Sequence, residues 1–395
     1  MQNGLTIQNM FNKLIMVGST TQNNKLVNGQ SMMFQLFVDN LRERNVVTII
    51  VDFGKSVDKN FYNKRVSGKF SITKLIDNFL LIFRFVFVLI TNPKTSIYIT
   101  TSQSKVGFVR DYLFISLAKI FNRKIVAHQF GANYHEFFNT QTEGFKYKIK
   151  STLEKTDFVI VEGDFTKEQF RFLPNYKTKV VTISNGLPEK IDSKTISPKN
   201  LNIEQPIRLI YLSNLIESKG YWDVLEAINI LVNREKVNIE AVFSGKFLQD
   251  VEDKMFSSSE QARSEFFNFL KKNKLEERVQ YFEGLFGKNK SKAFNDAHFF
   301  SLPSYYINEG QPVSVLEALA YGCVPIVTDY RVIPTMVNKE NGFFVHPESP
   351  EEIVGAIKLM INNPEEYRKK SESGIKFYLD NFTADKYVNK LIELF

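Results

Sequence analysis

INEGQPVSVLEALAYGCVPIV, residues 307 to 327, tells more about this chain than any other stretch. It places two carboxylates, Glu309 and Glu317, eight positions apart, with Gly310, Gln311, Pro312 and the start of an apolar helix between them. Gly310 has no Cβ, so a ligand can approach the backbone closely. Pro312 suits the first helical position, where a missing N–H costs nothing. The free amides that follow, near Val313 and Ser314, form an anion site at a helix N-terminus. From Pro312 to Glu317 a helix rises about 7.5 Å. One acid can therefore reach a sugar ring and the other a ribose, with a diphosphate held between them. Two isolated glutamates would read as a capping acid and an exposed helix residue. The setting argues otherwise: FFSLPSYY precedes, GCVPIV follows, and the helix stops on Gly322. The order is strand, loop, helix, glycine, strand, with the acids at the C-terminal edge of a strand, where open α/β sheets bind ligands.

The same rhythm runs through the chain. KLIMVGS, VVTIIVDF, SIYITT, KIVAHQF, DFVIVE and KVVTIS read as strands, with helices near 29–43, 71–91, 105–121 and 142–154. After a polar stretch, 188–206, with three prolines and no periodicity, the pattern restarts with IRLIYLSN, IEAVFSG, VQYFEG, HFFSLPS and CVPIVT. Helices near 219–233, 259–273, 312–321 and 350–363 separate these strands. Alternation of this kind predicts parallel α/β sheets, here two doubly wound, Rossmann-like domains. The expected division is 1–187, a linker at 188–206, 207–375, and a C-terminal helix, 376–395, returning to the first domain.

Composition narrows the function classes. The 395 residues suffice for two domains with a core each. A single cysteine, Cys323, excludes an internal disulfide, suits a reducing cytosol, and lies in an apolar run as a packing residue. Four histidines without ligand spacing, and no D-x-D triplet, give no support for a metal. No secretory signal is evident, and the longest apolar run, Phe79 to Ile90, is twelve residues with Arg84 inside it. That is shorter than the roughly 20 needed to span a bilayer. It reads as a core helix or a membrane-touching one, with core favoured. Residues 1–190 hold 26 Lys+Arg against 14 Asp+Glu, net +12, while the remainder is net −4. A basic first half can hold an anionic acceptor, dock on anionic lipid, or be a plain soluble surface. No nucleic-acid-binding motif is present. Neither half has G-x-G-x-x-G; the first strand leads instead into GSTTQNNKLVNGQS, with Gly18 and Gly29 far apart.

Lys219 and Gly220 follow the first strand of the second half, where a lysine at a helix start can neutralise phosphate. With these pieces, the second half resembles the donor domain of retaining glycosyltransferases of family 4, the group 1 enzymes of surface polysaccharide synthesis, which have the GT-B fold. The resemblance rests on Glu309 to Glu317, LPSYY before it, Lys219-Gly220, Ser244-Gly245 and Glu283-Gly284. More loosely it includes Gly18 to Gly29, AHQFGAN at 127–133 and ISNGLP at 183–188.

The resemblance implies two such domains facing each other across a cleft. It implies donor binding by Asn214, Lys219, Gly245, Glu283, Glu309, Gly310, Gln311, Pro312, Val313 and Glu317. Glu309 would take the hexose hydroxyls, Glu317 the ribose and Lys219 the diphosphate. The acceptor side would include Gly18, Gly29, His128, Gly131 and Asn133. Lys219, Glu309 and His128 are the candidates for catalysis. Two departures stand out: Asn214 occupies the place of the family's usual arginine, and Phe130 that of a second histidine, leaving His128 either recruited to the reacting centre or a strand-end residue. The expected activity is a hexosyl transfer from a UDP- or GDP-linked sugar to a saccharide acceptor, free or lipid-diphosphate-linked, without cofactor or metal. The expected location is cytoplasmic, including the inner membrane face. A non-catalytic partner subunit and a nucleotide-sugar epimerase are the alternatives.

Overall fold

A computed structural model describes residues 11–21, 29–53, 72–189, 191, 196–250 and 253–395, with side chains from residue 80 onward in the segment that starts at 72. The chain divides into two units, Met1–Pro188 with Ala384–Phe395, and Glu189–Thr383.

The first unit holds a six-stranded sheet in the order β2-β1-β3-β4-β5-β6. Its strands are β1 (Lys13–Gly18), β2 (Val47–Asp52), β3 (Ile97–Thr100), β4 (Ile125–His128), β5 (Phe158–Val161) and β6 (Val180–Thr182). All pair in parallel, for example Ile15 with Ile49 and with Ile97. Central strands buried on both faces need continuous apolar runs, and LIMV of β1 is wholly buried. Helices Ile72–Thr91, Lys105–Ile120 and Glu143–Glu154 share one core with the sheet, in which the Phe85 and Phe114 rings meet edge to face at 4.7 Å. The run Phe79–Ile90 is not simply a core helix: Phe85, Val88 and Leu89 are buried, whereas Leu80, Phe83, Phe87 and Ile90 are exposed. No described helix is long and apolar enough to cross a membrane.

The second sheet has the order β12-β11-β10-β7-β8-β9, again parallel throughout. Its strands are β7 (Ile207–Leu212), β8 (Ile239–Ser244), β9 (Val279–Phe282), β10 (Phe299–Leu302), β11 (Val324–Thr328) and β12 (Phe343–Val345). β7 and β10 are neighbours, with Leu209 opposite Phe299, and the winding reverses between them. That reversal is the topological switch point where such sheets bind ligands.

Several local expectations shift. The segment 219–233 is a 3₁₀ turn, Glu217–Lys219, a break at Gly220, then helix Tyr221–Asn229 and a π-helical end, Ile230–Arg234. Lys219 thus closes a turn rather than opening the helix, because Gly220 is left-handed at φ 73° and a Cβ there would lie 2.6 Å from the Pro303 carbonyl oxygen. Pro312 caps helix Val313–Ala320 instead of occupying its first turn, since its ψ of 115° is extended. Gly322, at φ 68°, ends that helix, and the Gly322 and Cys323 amides close on Leu319 and Ala318. Cys323 is buried, its Sγ 3.3 Å from Lys199 Nζ, and burial pushes the thiol up. Lys199 also pins the linker, donating from its amide to Ser371 at 3.0 Å and from Nζ to Phe294 O at 2.6 Å. Helix Pro364–Asn381 stays with the second unit; only helix Ala384–Ile392 belongs to the first, tied there by Arg44 to Asp385 at 2.8 Å.

Candidate functional site

The loops after β7 and β10 are locked together before any functional side chain is considered. The Tyr305 amide donates to Ser218 O at 2.8 Å, and Gly220 sits against Pro303. This places Lys219, from the first loop, beside Glu309, from the second. Lys219 Nζ lies 3.3 Å from Glu309 Oε1 and 5.0 Å from the Tyr306 ring centre. Ser304 Oγ donates to the other Glu309 oxygen at 2.5 Å. Glu309 is only 5% exposed, and its two carboxyl oxygens meet one cation and one hydroxyl. The Glu309 amide closes on Tyr306 O at 2.9 Å, making the tight turn that aims the carboxylate back toward Lys219.

Glu317 follows on helix Val313–Ala320, which is buried from Ser314 to Ala320. An apolar helix has no exposed face, so Glu317, 3% exposed, projects into protein. Its Oε1 accepts from Lys290 Nζ, and Lys290 Nζ also lies 3.6 Å from Glu189 Oε2. Ser291 Oγ and, at 3.3 Å, Tyr321 OH donate to Glu189 Oε1. Burial pushes the Glu317 carboxyl up, with Lys290 opposing. Burial likewise works against the Lys290 ammonium, but Glu317 and Glu189 outweigh it and hold its pKa above the ordinary value. Lys290 therefore stays charged between two carboxylates. It sits on helix Gly287–Asp296, which the sequence pattern does not announce: Phe294 alone is buried there.

The remaining donor-side candidates fall around these two pairs. Gly245, at φ 152°, packs on the loop after β7; a Cβ would meet Ser213 O at 1.9 Å and Asn214 Cα at 3.0 Å. Asn214 is exposed, and its carbonyl accepts from Tyr211 OH at 3.2 Å. Glu283 is exposed just past β9. Gln311 is buried beside Glu309, and Gly310, Pro312 and Val313 are half-buried. Among the described residues no group of three or more His, Cys, Asp or Glu could hold a metal ion.

In the first unit, His128 ends β4 fully buried, stacked on Phe130 at 4.0 Å. Tyr98 OH lies 2.6 Å from its Nδ1, and its Nε2 has no hydrogen-bond partner among the described residues. Burial lowers its pKa to about 3, so the ring is neutral. Burial also holds the Tyr98 proton on, so Nδ1 is assigned as the acceptor and Nε2 as N–H. Gly131, at φ 83°, donates its amide to Glu162 at 3.0 Å, and Asn185 Nδ2 donates to the other Glu162 oxygen at 2.7 Å. Asn133 precedes helix Tyr134–Asn139 as its N-cap residue. Gly18 faces Phe34, whose ring would lie 2.3 Å from a Cβ, and Gly29 opens helix Gly29–Glu43; residues 22–28 of the loop between them lie outside the described residues. Buried Glu162 and half-buried Lys290 and Glu189 are ionic residues of these networks that the motif reading missed, each lying outside the glycine and acid spacings that guided it.

Residues 192–377 match the model of the family described as Glycosyl transferases group 1. An uncharacterized glycosyltransferase of Haemophilus influenzae (strain Rd) is 25% identical over 250 residues, which span 62% of this chain and 62% of that protein. A sucrose-phosphate synthase from Thermosynechococcus elongatus superposes with a TM-score of 0.66 at 16% identity, covering 97% of this chain and 98% of that one. HepE of Anabaena, solved with UDP, gives 0.67 at 12% identity over 96% and 98%. The chain has the GT-B fold.

Proposed function

We propose that the protein is a retaining, metal-independent glycosyltransferase that moves a hexose from a nucleotide diphosphate sugar, UDP- or GDP-linked, to a hydroxyl of a saccharide acceptor. The observation that carries this is the Lys219–Glu309 pair at the β7/β10 switch point, next to the opening of helix Val313–Ala320. In this reading the diphosphate takes over Lys219 and the helix amides, and Glu309 turns its oxygens to the hexose hydroxyls. Charge develops on the departing diphosphate, so fixed cations and N–H dipoles aimed there accelerate the reaction. The acceptor hydroxyl attacks the anomeric carbon on the face the phosphate leaves, and a diphosphate oxygen takes its proton; no separate base is required. Glu317 receives the ribose. UDP is the first candidate because the HepE neighbour holds it. The acceptor is a lipid-linked saccharide of surface polysaccharide synthesis, reached at the membrane by the basic first unit.

A thermal-shift screen of nucleotide diphosphates and their sugars tests this. A ligand at 100 times its Kd stabilises by about 2.7 kcal/mol, and Glu309→Gln and Lys219→Met should each diminish the shift. No response to any nucleotide, in a folded protein, overturns the proposal. The exposed Asn214, where the family carries arginine, favours one rival, a non-catalytic partner subunit. Nucleotide binding without acceptor-dependent sugar transfer would select that rival, and turnover without acceptor would select an epimerase.

A further inference from the structure

The helix Ile72–Thr91 has two unlike faces. Phe85, Val88 and Leu89 enter the core, while Leu80 (59% exposed), Phe83 (69%), Phe87 (62%) and Ile90 (62%) lie outside it. Their spacing of three, four and three residues aligns them as one stripe along the helix. Isolated exposed apolar residues are ordinary, but four large ones in register mark a contact surface. The neighbouring helix Lys105–Ile120, whose Phe114 ring meets Phe85, adds the exposed Val106 and Val109.

Charge identifies the occupant. Between Leu80 and Thr91 the only charged residue is Arg84, which is exposed. Lys94 follows, and the neighbouring helix carries Lys105, Arg110 and Lys119. The single acid on that helix, Asp111, is buried and bonded to Arg110 at 2.6 Å. An apolar stripe flanked by cations, with no exposed acid among the described side chains of either helix, fits an anionic bilayer, with the stripe in the acyl boundary and the lysines and arginines among the headgroups. It does not suit a second copy, which would bring like charges together. We infer that the stripe Leu80, Phe83, Phe87 and Ile90 inserts into an anionic lipid surface and docks the protein there. This names the partner behind the lipid-linked acceptor, and so rests on that reading of the function.

Vesicles of phosphatidylglycerol mixed with phosphatidylcholine, against phosphatidylcholine alone, test it on the full chain. Wild type sediments with the anionic vesicles, and Phe83→Ser/Phe87→Ser weakens that binding at least about tenfold. Both altered positions are exposed, so the melting temperature and the nucleotide-induced shift stay as in wild type. In Phe87→Trp, emission moves to the blue and brominated acyl chains quench it, over the baseline of the lone native tryptophan, Trp222. Unaltered sedimentation of the double variant, an unquenched Phe87→Trp, or a wild-type dimer that the double variant converts to monomer overturns the inference. Vesicle binding without nucleotide binding would remove the functional reading and leave the docking face standing; nucleotide binding without vesicle binding would do the reverse.

Discussion

Lys290 Nζ contacts Glu317 Oε1 while lying 3.6 Å from Glu189 Oε2, so one half-buried ammonium serves two carboxylates. A lone carboxylate in that position would be driven neutral by burial, and a neutral acid grips a ribose diol poorly because it loses half its acceptor strength. Lys290 is thus the residue that opposes the effect of burial on Glu317 and orients it.

Under the proposal that Glu317 receives the ribose, the consequence is specific to the sugar of the nucleotide. Lys290→Met leaves Glu317 without its cation, so its pKa rises further above the carboxylate range. Affinity for UDP should then begin to fall at a higher pH than in wild type, where Lys290 opposes the upward shift. The preference for UDP over 2′-deoxy-UDP should shrink by about tenfold, the value of one lost charge-assisted hydrogen bond. Titration calorimetry across pH reads both. A variant with the wild-type preference and the wild-type pH response would make the pair purely structural.

Lys219 and Glu309 predict a different signature. Glu309→Gln keeps the Ser304 contact and the shape of the side chain but removes the charge facing Lys219. Turnover should fall about 10²- to 10³-fold, as when one fixed electrostatic contact to a transition state is lost. Lys219→Met should fall comparably, and the double variant by less than the product of the two, because the residues act as a unit. Single-turnover sugar transfer from a donor found by the screen supplies the rates. Near-normal transfer in either single variant would remove this pair from the mechanism.

What the amino-acid pattern discloses, and what it hides, follows from how each element is buried. β1 and β7 are legible because a central parallel strand must be apolar on both faces. Helix Val313–Ala320 is legible because glycine and proline bracket it. Helix Gly287–Asp296 is not: with Phe294 its one buried side chain, GKNKSKAFND looks like a loop, and Lys290 disappears with it. β12, three residues long, falls below the length at which alternation means anything. The stripe on Ile72–Thr91 is hidden for the opposite reason. A helix apolar all round is ordinarily buried, and sequence cannot tell a core neighbour from an open face.

Gly220 links backbone geometry to the site. Its left-handed φ of 73°, and the 2.6 Å that would separate a Cβ from the Pro303 carbonyl, both oppose any other residue. Gly220→Ala should cost about 1–3 kcal/mol of stability, seen as a lowered melting temperature. It should also displace Lys219, so that nucleotide affinity falls even well below the melting range. A variant with unchanged melting and binding would mean that the two loops yield more easily than their contacts imply.

His128 supplies a pH prediction with a definite sign. Burial lowers its pKa in the folded protein to about 3, against about 6.5 in an unfolded chain. Between those values the unfolded state binds the proton and the folded state does not, so stability is complete above about pH 6.5 and is lost as pH falls toward 3. His298, held down to about 4 mainly by burial, acts in the same direction. Replacing His128 with Gln, which retains polar atoms near Tyr98 OH without titrating, should flatten part of that slope and leave the rest to His298 and the carboxylates. Urea unfolding at pH 5 and pH 8 measures it: wild type loses more stability between the two than His128→Gln does. Equal losses would mean that His128 is protonated in the folded protein, and a cationic ring beside Phe130 would then have to be written into the acceptor side.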